Sequence, residues 1–216
     1  MVEKKKYLFI EALFIAVFLF SFGMLIGVFI ENARANFIQG NLAQLEVEIM
    51  DAKLLSNIID YASCDIALNE TIAFADRVFW EAKTLDKFEA SSEITDSIKT
   101  QHKKYDLLRA MIWVNSINIR QRCRSDYNEI VYIYDYANPS IAKKTQQGII
   151  SSVLGDIKNE KGDKVLLISL AGNNALPSVE LLLKAHNITE LPTILIDGKT
   201  KITDIESIED IKKYLD

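Results

Sequence analysis

The feature that most constrains this chain is an uncharged apolar run near its start, residues 12–30, with the sequence ALFIAVFLFSFGMLIGVFI. At a rise of about 1.5 Å per residue, a helix of this length nearly crosses a hydrocarbon core of about 30 Å. Adding residues 7–10 completes the crossing, so the sequence predicts a transmembrane helix over residues 7–30. Glu11 is charged but lies one turn from the start, where its carboxylate can reach the interface.

A cleaved secretory signal is the alternative interpretation of the same segment, because residues 33–35 (ARA) resemble a cleavage site. The run is longer than the about 7 to 15 apolar residues of a signal peptide, and a helix-like stretch follows it directly, which favours an uncleaved anchor. Lys4, Lys5 and Lys6 precede the run. The positive-inside rule therefore predicts a cell-membrane protein with a cytoplasmic tail, residues 1–6, and its soluble part outside the cytoplasm.

Charge and rare residue types exclude several functional classes. The 216 residues carry 25 basic and 30 acidic side chains, a formal net charge of −5, so we expect no nucleic-acid partner. Cys64, His102, Cys123 and His186 match no zinc-site spacing, so no metal is expected. Both histidines are expected to be exposed helix residues. We recognise no catalytic constellation and no cofactor motif, so neither catalytic residues nor a cofactor is expected.

A helical stalk is predicted over residues 31–125. Residues 42–122 contain no proline and no glycine, and apolar residues recur there at helical spacing. A turn signal at Ser91 and Ser92 divides this interval into an antiparallel helical hairpin. A further break near residue 64 would instead make it a small bundle of three helices, and both alternatives remain open.

From residue 126 onward the pattern changes to strands that alternate with helices. Asp197 and Gly198 between two short apolar runs are a hairpin signal. Two parallel strands joined through helices, followed by a hairpin and a helix, predict an α/β domain over residues 126–216. The strands are predicted over residues 129–135, 164–170, 193–197 and 199–203, and the helices over residues 139–159, 176–186 and 206–215.

Leu191, Pro192 and Thr193 stand before an apolar strand and the turn glycine Gly198. This segment resembles the cis-proline motif of the thioredoxin-like superfamily, and the order of elements over about residues 129–215 is similar to that family's fold. The resemblance implies that Pro192 has a cis peptide bond and that its loop binds polypeptides through backbone hydrogen bonds. A trans proline that opens an edge strand is the alternative.

The family's redox chemistry needs two cysteines in the first turn of the helix after the first strand. The matching positions in this chain are Ser140 and Lys143, and no cysteine follows Cys123. A hydroxyl group cannot exchange disulfides. The expected architecture is therefore an N-terminal transmembrane helix, a helical hairpin or small helical bundle, and a C-terminal thioredoxin-like α/β domain that lacks the CxxC motif.

Cys64 and Cys123 lie at similar distances on either side of the predicted turn, so antiparallel helices would place them side by side. Outside the cytoplasm we expect a disulfide, which would stabilise the fold by roughly 3 to 4 kcal/mol for a loop of about 60 residues. A structural staple is the first interpretation. Two reduced core cysteines are one alternative, and a redox-active pair with a thiolate favoured by Arg120, Arg122 and Arg124 is another.

These expectations combine into a single-pass membrane protein whose non-catalytic domain binds or assembles envelope proteins or polypeptides. The apolar stripes over residues 42–62 and 94–119 exceed what one hairpin buries, so a homo-oligomer formed through the helices, or a docked partner helix, would cover them. The alternative function is a thiol-disulfide oxidoreductase that uses Cys64 and Cys123. Asn69 and Asn187 fit the glycosylation acceptor pattern, and two matches among this many asparagines are close to the number expected by chance.

Overall fold

The computed structural model describes residues 2–58, 61–91, 96–123, 127–205 and 207–215. The chain divides into two compact units, Met1–Gln44 and Leu45–Asp216. Helix α1, Val2–Ile58, contributes to both of them. The apolar run lies in the first unit, and the sheet lies in the second.

The first unit carries the predicted membrane segment on α1. Ile10–Ala33 is a helical segment of 24 residues with a mean hydropathy of 2.7, and none of its most apolar window is buried. This length and composition are sufficient to cross a bilayer. The orientation of the segment and the membrane it enters stay predictions.

Two further helices complete the helical part, α2 over Cys64–Ser91 and α3 over Asp96–Arg122. Because α1 ends at Ile58 and α2 begins at Cys64, the small bundle with a break near residue 64 is the alternative observed. The turn predicted at Ser91 and Ser92 starts where α2 ends, and Ser92 lies outside the described residues.

The α/β part follows in the predicted order. Strand β1 pairs in parallel with β2, while β3 pairs antiparallel with both β1 and β4, which gives the strand order β2-β1-β3-β4. The peptide bond between Leu191 and Pro192, just before β3, is cis. This arrangement is that of a thioredoxin-like α/β domain, so the expected fold class is confirmed. The elements are β1 (Asn128–Tyr134), α4 (Ile141–Lys161), β2 (Val165–Ala171), α5 (Pro177–Ala185), β3 (Thr193–Ile196), β4 (Thr200–Ile202) and α6 (Glu209–Lys212).

The main core lies between the sheet and helices α4 and α6. Ile130 of β1, Leu167 of β2 and Ile194 of β3 pack with Ile157 of α4 and Ile211 of α6. These strand residues share one face because side chains alternate along a strand.

Helices α2 and α3 pack against the sheet within the same compact unit. Both helices contact β2, and Lys158 of α4 forms an ion pair with Asp76 of α2 at 2.6 Å. On the α1 side, Glu46 pairs with Lys104 of α3 at 2.5 Å. The domain boundary predicted at residue 126 stays a prediction, and it lies inside this compact unit.

Candidate functional site

The first turn of α4 holds Ser140 and Lys143, the two residues that the sequence resemblance aligns with the redox cysteines of thioredoxin-like proteins. Ser140 is the N-cap, with φ −61° and ψ 159°, and its Oγ accepts a hydrogen bond from the Lys143 amide at 3.2 Å. A serine at this position satisfies one of the amides that every helix start leaves without a partner. Ser140 and Lys143 are therefore brought together in a capping contact.

A polar cluster around Asp135 holds this turn in place. Lys143 Nζ donates to Asp135 Oδ2 at 3.0 Å, and Asn173 Nδ2 donates to Asp135 Oδ1 at 2.8 Å. Asn173 Oδ1 in turn accepts from the amides of Tyr136 and Ala137. Burial acts to raise the pKa of Asp135, but the hydrogen bonds from Lys143 and Asn173 outweigh it and lower the pKa below its ordinary value. The ionised carboxylate thus ties the start of α4 to the loop after β2.

The cis-proline loop packs closely against that same loop after β2. Pro192 and Thr193 are buried, whereas Leu191 is half-buried and partly reaches the surface. A Cβ atom on Gly172 would lie 2.8 Å from Ile133 Cγ2 and 2.8 Å from Leu191 Cδ1, so a side chain does not fit at this position. Gly172 is followed by Asn173, which donates to Asp135. The loop after β2 therefore contacts both the cis-proline loop and the residues that hold the start of α4.

Both cysteines lie in the helical part rather than at the tip of α4. Cys64 opens α2, Cys123 follows α3, and they form a disulfide with a Cα–Cα distance of 5.7 Å. Cys123 packs with Ala67 and Ile119 in a small apolar cluster. The predicted disulfide is confirmed, and the alternative of two reduced core cysteines is wrong. Whether the pair is a staple or a redox couple stays a prediction.

Arg120, one of the arginines near Cys123, pairs with a carboxylate of the sheet. Arg120 Nη1 lies 3.1 Å from Asp197 Oδ1, and Nη2 donates to the Asp197 carbonyl at 3.3 Å. Arg124 lies outside the described residues. The charge of Arg120 is therefore matched by the carboxylate at the β3–β4 turn, which weakens the expectation that it favours a Cys123 thiolate.

Helix α3 meets the sheet through two buried carboxylates that the sequence analysis does not single out. The first is Asp106, which is fully buried. It accepts hydrogen bonds from the Ala171 amide at 3.2 Å, Asn174 Nδ2 at 2.8 Å and Arg109 Nη1 at 3.4 Å. Ala171 is the last residue of β2, and Asn174 lies in the loop after it, so Asp106 fixes α3 to that edge strand.

The second buried carboxylate is Glu129, the second residue of β1. It accepts a hydrogen bond from Ser116 Oγ of α3, and its Oε1 lies 3.7 Å from Arg120 Nη1. Burial raises the pKa of Glu129, and Ser116 and Arg120 offset only part of that rise.

His102 is buried, so the prediction that both histidines are exposed is wrong for this residue. Its ring stacks on Tyr136 with 3.9 Å between the ring centroids, and its Nε2 lies 2.8 Å from the Tyr134 hydroxyl. His186 is half-buried and packs on Trp113, with 4.8 Å between the centroids. The sheet covers the face of α3 that a free helix would expose, and this packing decides the environment of His102.

The second unit is thus defined as a thioredoxin-like α/β fold whose helix tip carries a serine and a lysine and whose disulfide lies in the adjoining helices. No family model and no curated protein matches the sequence. Among solved structures, the chain is similar to thioredoxin O2 from Arabidopsis thaliana in the oxidised state, with 14% identity and a TM-score of 0.30. The match covers 41% of this chain and 72% of that chain. The fold class rests on the order and direction of the strands and on the helices packed against them, not on this match.

Proposed function

We propose that the protein is a single-pass membrane protein that holds a redox-inactive thioredoxin-like domain outside the cytoplasm, where the domain binds extended polypeptide segments of envelope proteins. The observation that carries this proposal is the tip of α4, where Ser140 and Lys143 take part in a cap and an ion pair. Neither side chain can exchange disulfides. The tip therefore supports holding a polypeptide rather than oxidising it.

The cis-proline loop supplies the surface for this binding. Leu191 is half-buried beside a buried Pro192, so its backbone borders the surface at the start of β3. An extended segment bound there would gain main-chain hydrogen bonds, with specificity added by side-chain pockets.

A binding measurement tests this role. Full-length protein in lipid nanodiscs is titrated with reduced, carboxymethylated α-lactalbumin, a permanently unfolded chain. Leu191→Glu should weaken binding at least about tenfold, because it places a charge at the centre of the surface. Leu181→Glu, on the exposed face of α5, is the matched control and should leave binding unchanged. Absence of any binding by the unaltered protein, or equal loss in both variants with unchanged thermal unfolding, contradicts the proposal.

The proposed orientation rests on Lys4, Lys5 and Lys6 and on the disulfide, which persists in oxidising compartments. In intact cells, a membrane-impermeant maleimide should label Cys64 and Cys123 only after an impermeant reductant is added. Labelling that requires cell lysis would place the domain in the cytoplasm and refute the orientation.

The disulfide allows a second candidate function, that of a thiol-disulfide oxidoreductase that uses Cys64 and Cys123. Cys123 is buried in an apolar cluster, which favours a structural bond. Redox titration should give a potential below about −300 mV for a staple, whereas a value between about −270 and −100 mV would support the oxidoreductase.

Self-association through α1 is also part of the proposal. Along the stripe predicted over residues 94–119, Ile98, Tyr105 and Leu108 are buried. Along the stripe predicted over residues 42–62, Leu45 and Ala52 are buried as well. A different face of this segment of α1 leaves an apolar row exposed at spacings of three and four residues. This row supports a homo-oligomer or a docked partner helix. Its members are Val47, Met50, Leu54 and Ile58.

A further inference from the structure

A concave site lies between α2, α3, α4 and the neighbouring strands β1 and β2. Its volume is about 540 Å³, inside the range of about 300 to 1,000 Å³ that small-molecule sites occupy. Phe79 and Lys83 of α2, His102 and Arg109 of α3 and Lys144 of α4 contribute to its lining. We call it the α2–α4 cavity. Among its described lining residues, none comes from the cis-proline loop, so the site is separate from the proposed polypeptide surface.

The lining of the α2–α4 cavity is positively charged. Lys83 and Lys144 are exposed at its mouth, while Arg109 and His102 are buried deeper. None of the lining residues that the structure describes carries a carboxylate. Asp106, outside the lining, lies 3.4 Å from Arg109 Nη1 and 3.6 Å from His102 Nε2, so its carboxylate offsets the charge of Arg109. The excess positive charge of the lining is therefore that of Lys83 and Lys144. In a chain of net charge −5, a cavity of this kind selects an anion.

Aromatic and apolar side chains form much of the remaining surface. The rings of Tyr132 and Tyr134 both line the cavity, with 5.7 Å between their centroids. Tyr136 adds a further ring, and Leu154 and Leu167 are buried apolar residues of the floor. Flat aromatic groups pack well against such surfaces in offset or edge-to-face arrangements.

Part of the wall formed by α4 consists of small residues. Gly148, Ser151 and Gly155 all line the cavity, and their spacing of three and four places them on one helix face. A Cβ atom at either glycine would meet nothing within 4 Å, so packing within the protein does not require glycine at these positions. Glycine is unfavourable in a helix interior relative to alanine. A bound molecule that lies against the helix backbone would account for both glycines.

We propose that the α2–α4 cavity binds a small organic anion with an aromatic body, such as an aromatic carboxylate. The anionic group lies between Lys83 and Lys144 at the mouth, where the site is wettest. The ring enters between the small-residue wall of α4 and the tyrosine rings. This binding is independent of the polypeptide surface proposed above.

The test compares two probes that differ in charge, 2-naphthoate and neutral 2-naphthylmethanol. Each is titrated by calorimetry into full-length protein in nanodiscs, with empty nanodiscs subtracted. Naphthoate should bind at least about tenfold more tightly than the alcohol. Replacing both mouth lysines, Lys83→Gln with Lys144→Gln, should reduce naphthoate to the affinity of the alcohol and leave the alcohol unchanged.

Two neighbouring serines of α4 provide a matched pair of steric variants. Ser151 lines the cavity, whereas Ser152 is exposed and does not appear in its lining. Ser151→Leu should weaken naphthoate at least about tenfold, and Ser152→Leu should leave it unchanged. Gly148→Leu is the second blocking variant if Ser151→Leu does not fold. Equal affinity for the two probes, equal effects of the two serine variants, or no binding of naphthoate up to about 10 mM would overturn the proposal.

Discussion

The two ends of the contact between α3 and the sheet hold buried carboxylates with different partners. At one end Asp106 accepts hydrogen bonds from Ala171, Asn174 and Arg109. At the other end Glu129 accepts one from Ser116. Both carboxylates are fully buried, so burial alone does not distinguish them. The number of hydrogen-bond donors distinguishes the two carboxylates, because each donor replaces part of the hydration that a carboxylate loses on burial.

This comparison indicates which end holds the helix more firmly. Asp106 joins α3 to the end of β2 by a network, whereas Glu129 keeps a raised pKa because its partners offset burial only in part. Ser116 lies ten residues after Asp106, about 15 Å along the helix, so the ends can be altered separately.

The largest expected effect comes from Asp106→Ala. It leaves the buried Arg109 and the Ala171 amide without this acceptor, so the free energy of unfolding should fall by about 3 to 5 kcal/mol. Urea unfolding of the full-length protein in detergent, followed by circular dichroism, measures it. Asp96→Ala is the control on the same helix, where an exposed carboxylate pairs with Lys99, and little change is expected. Equal losses in the two variants would refute the importance of the Asp106 network.

A smaller effect, visible mainly in its pH dependence, is expected for Glu129→Gln. Because the pKa of Glu129 is raised, the folded chain binds this proton more tightly than the unfolded chain. The contribution of Glu129 to stability is therefore greatest below its ordinary pKa of 4.5 and declines as the pH rises through the raised value. Glutamine should flatten this decline and change the neutral-pH stability by less than about 2 kcal/mol.

Thermal unfolding of Glu129→Gln across a pH series provides the measurement. Glu81 is the comparison residue, since burial, followed by the charge and hydrogen bond of Glu48, raises its pKa as well. Substitution of Glu129 and substitution of Glu81 should each remove a separate part of the dependence of the unfolding temperature on pH. If Glu129→Gln shows the same pH dependence of unfolding as the unaltered protein, then Glu129 does not bind its proton more tightly in the folded state than in the unfolded state.

The smallest effect is expected for Tyr134→Phe at the Asp106 end. It removes the hydroxyl that lies 2.8 Å from His102 Nε2, and a neutral hydrogen bond contributes about 0.5 to 1.5 kcal/mol. Tyr214→Phe, at an exposed site, is the matched control for urea unfolding. A loss as large as that of Asp106→Ala would make the His102 contact, rather than the carboxylate, the main attachment of α3.

Much of the fold follows from local signals in the sequence. The strand predicted over residues 129–135 is observed as Asn128–Tyr134, and the helix predicted over residues 139–159 is observed as Ile141–Lys161. Apolar periodicity and turn residues determine these elements over short distances. The last helix is shorter than predicted, Glu209–Lys212 instead of residues 206–215. Glu206 itself lies outside the described residues.

The polar contacts of α3 could not be predicted in the same way. His102 follows the buried Ile98 by four residues, and this spacing placed it on the apolar face of the helix. A polar residue on that face is recognised as buried only when its partner is known. Asn174, which donates to Asp106, and Ser116, which donates to Glu129, lie on other elements than their acceptors, so the periodicity of one element does not reveal these contacts.

By itself, the sequence determined the membrane-length apolar helix, the order of helices and strands, the cis-proline motif and the lack of a thiol at Ser140 and Lys143. These features depend on residue identity and on neighbours a few positions away. Tertiary structure alone decided that α3 lies on the sheet, that Asp106 meets Asn174 across 68 positions, and that three helices leave a positively charged cavity beside β2. The reason is physical: burial and charge pairing depend on which surfaces meet once the chain is folded.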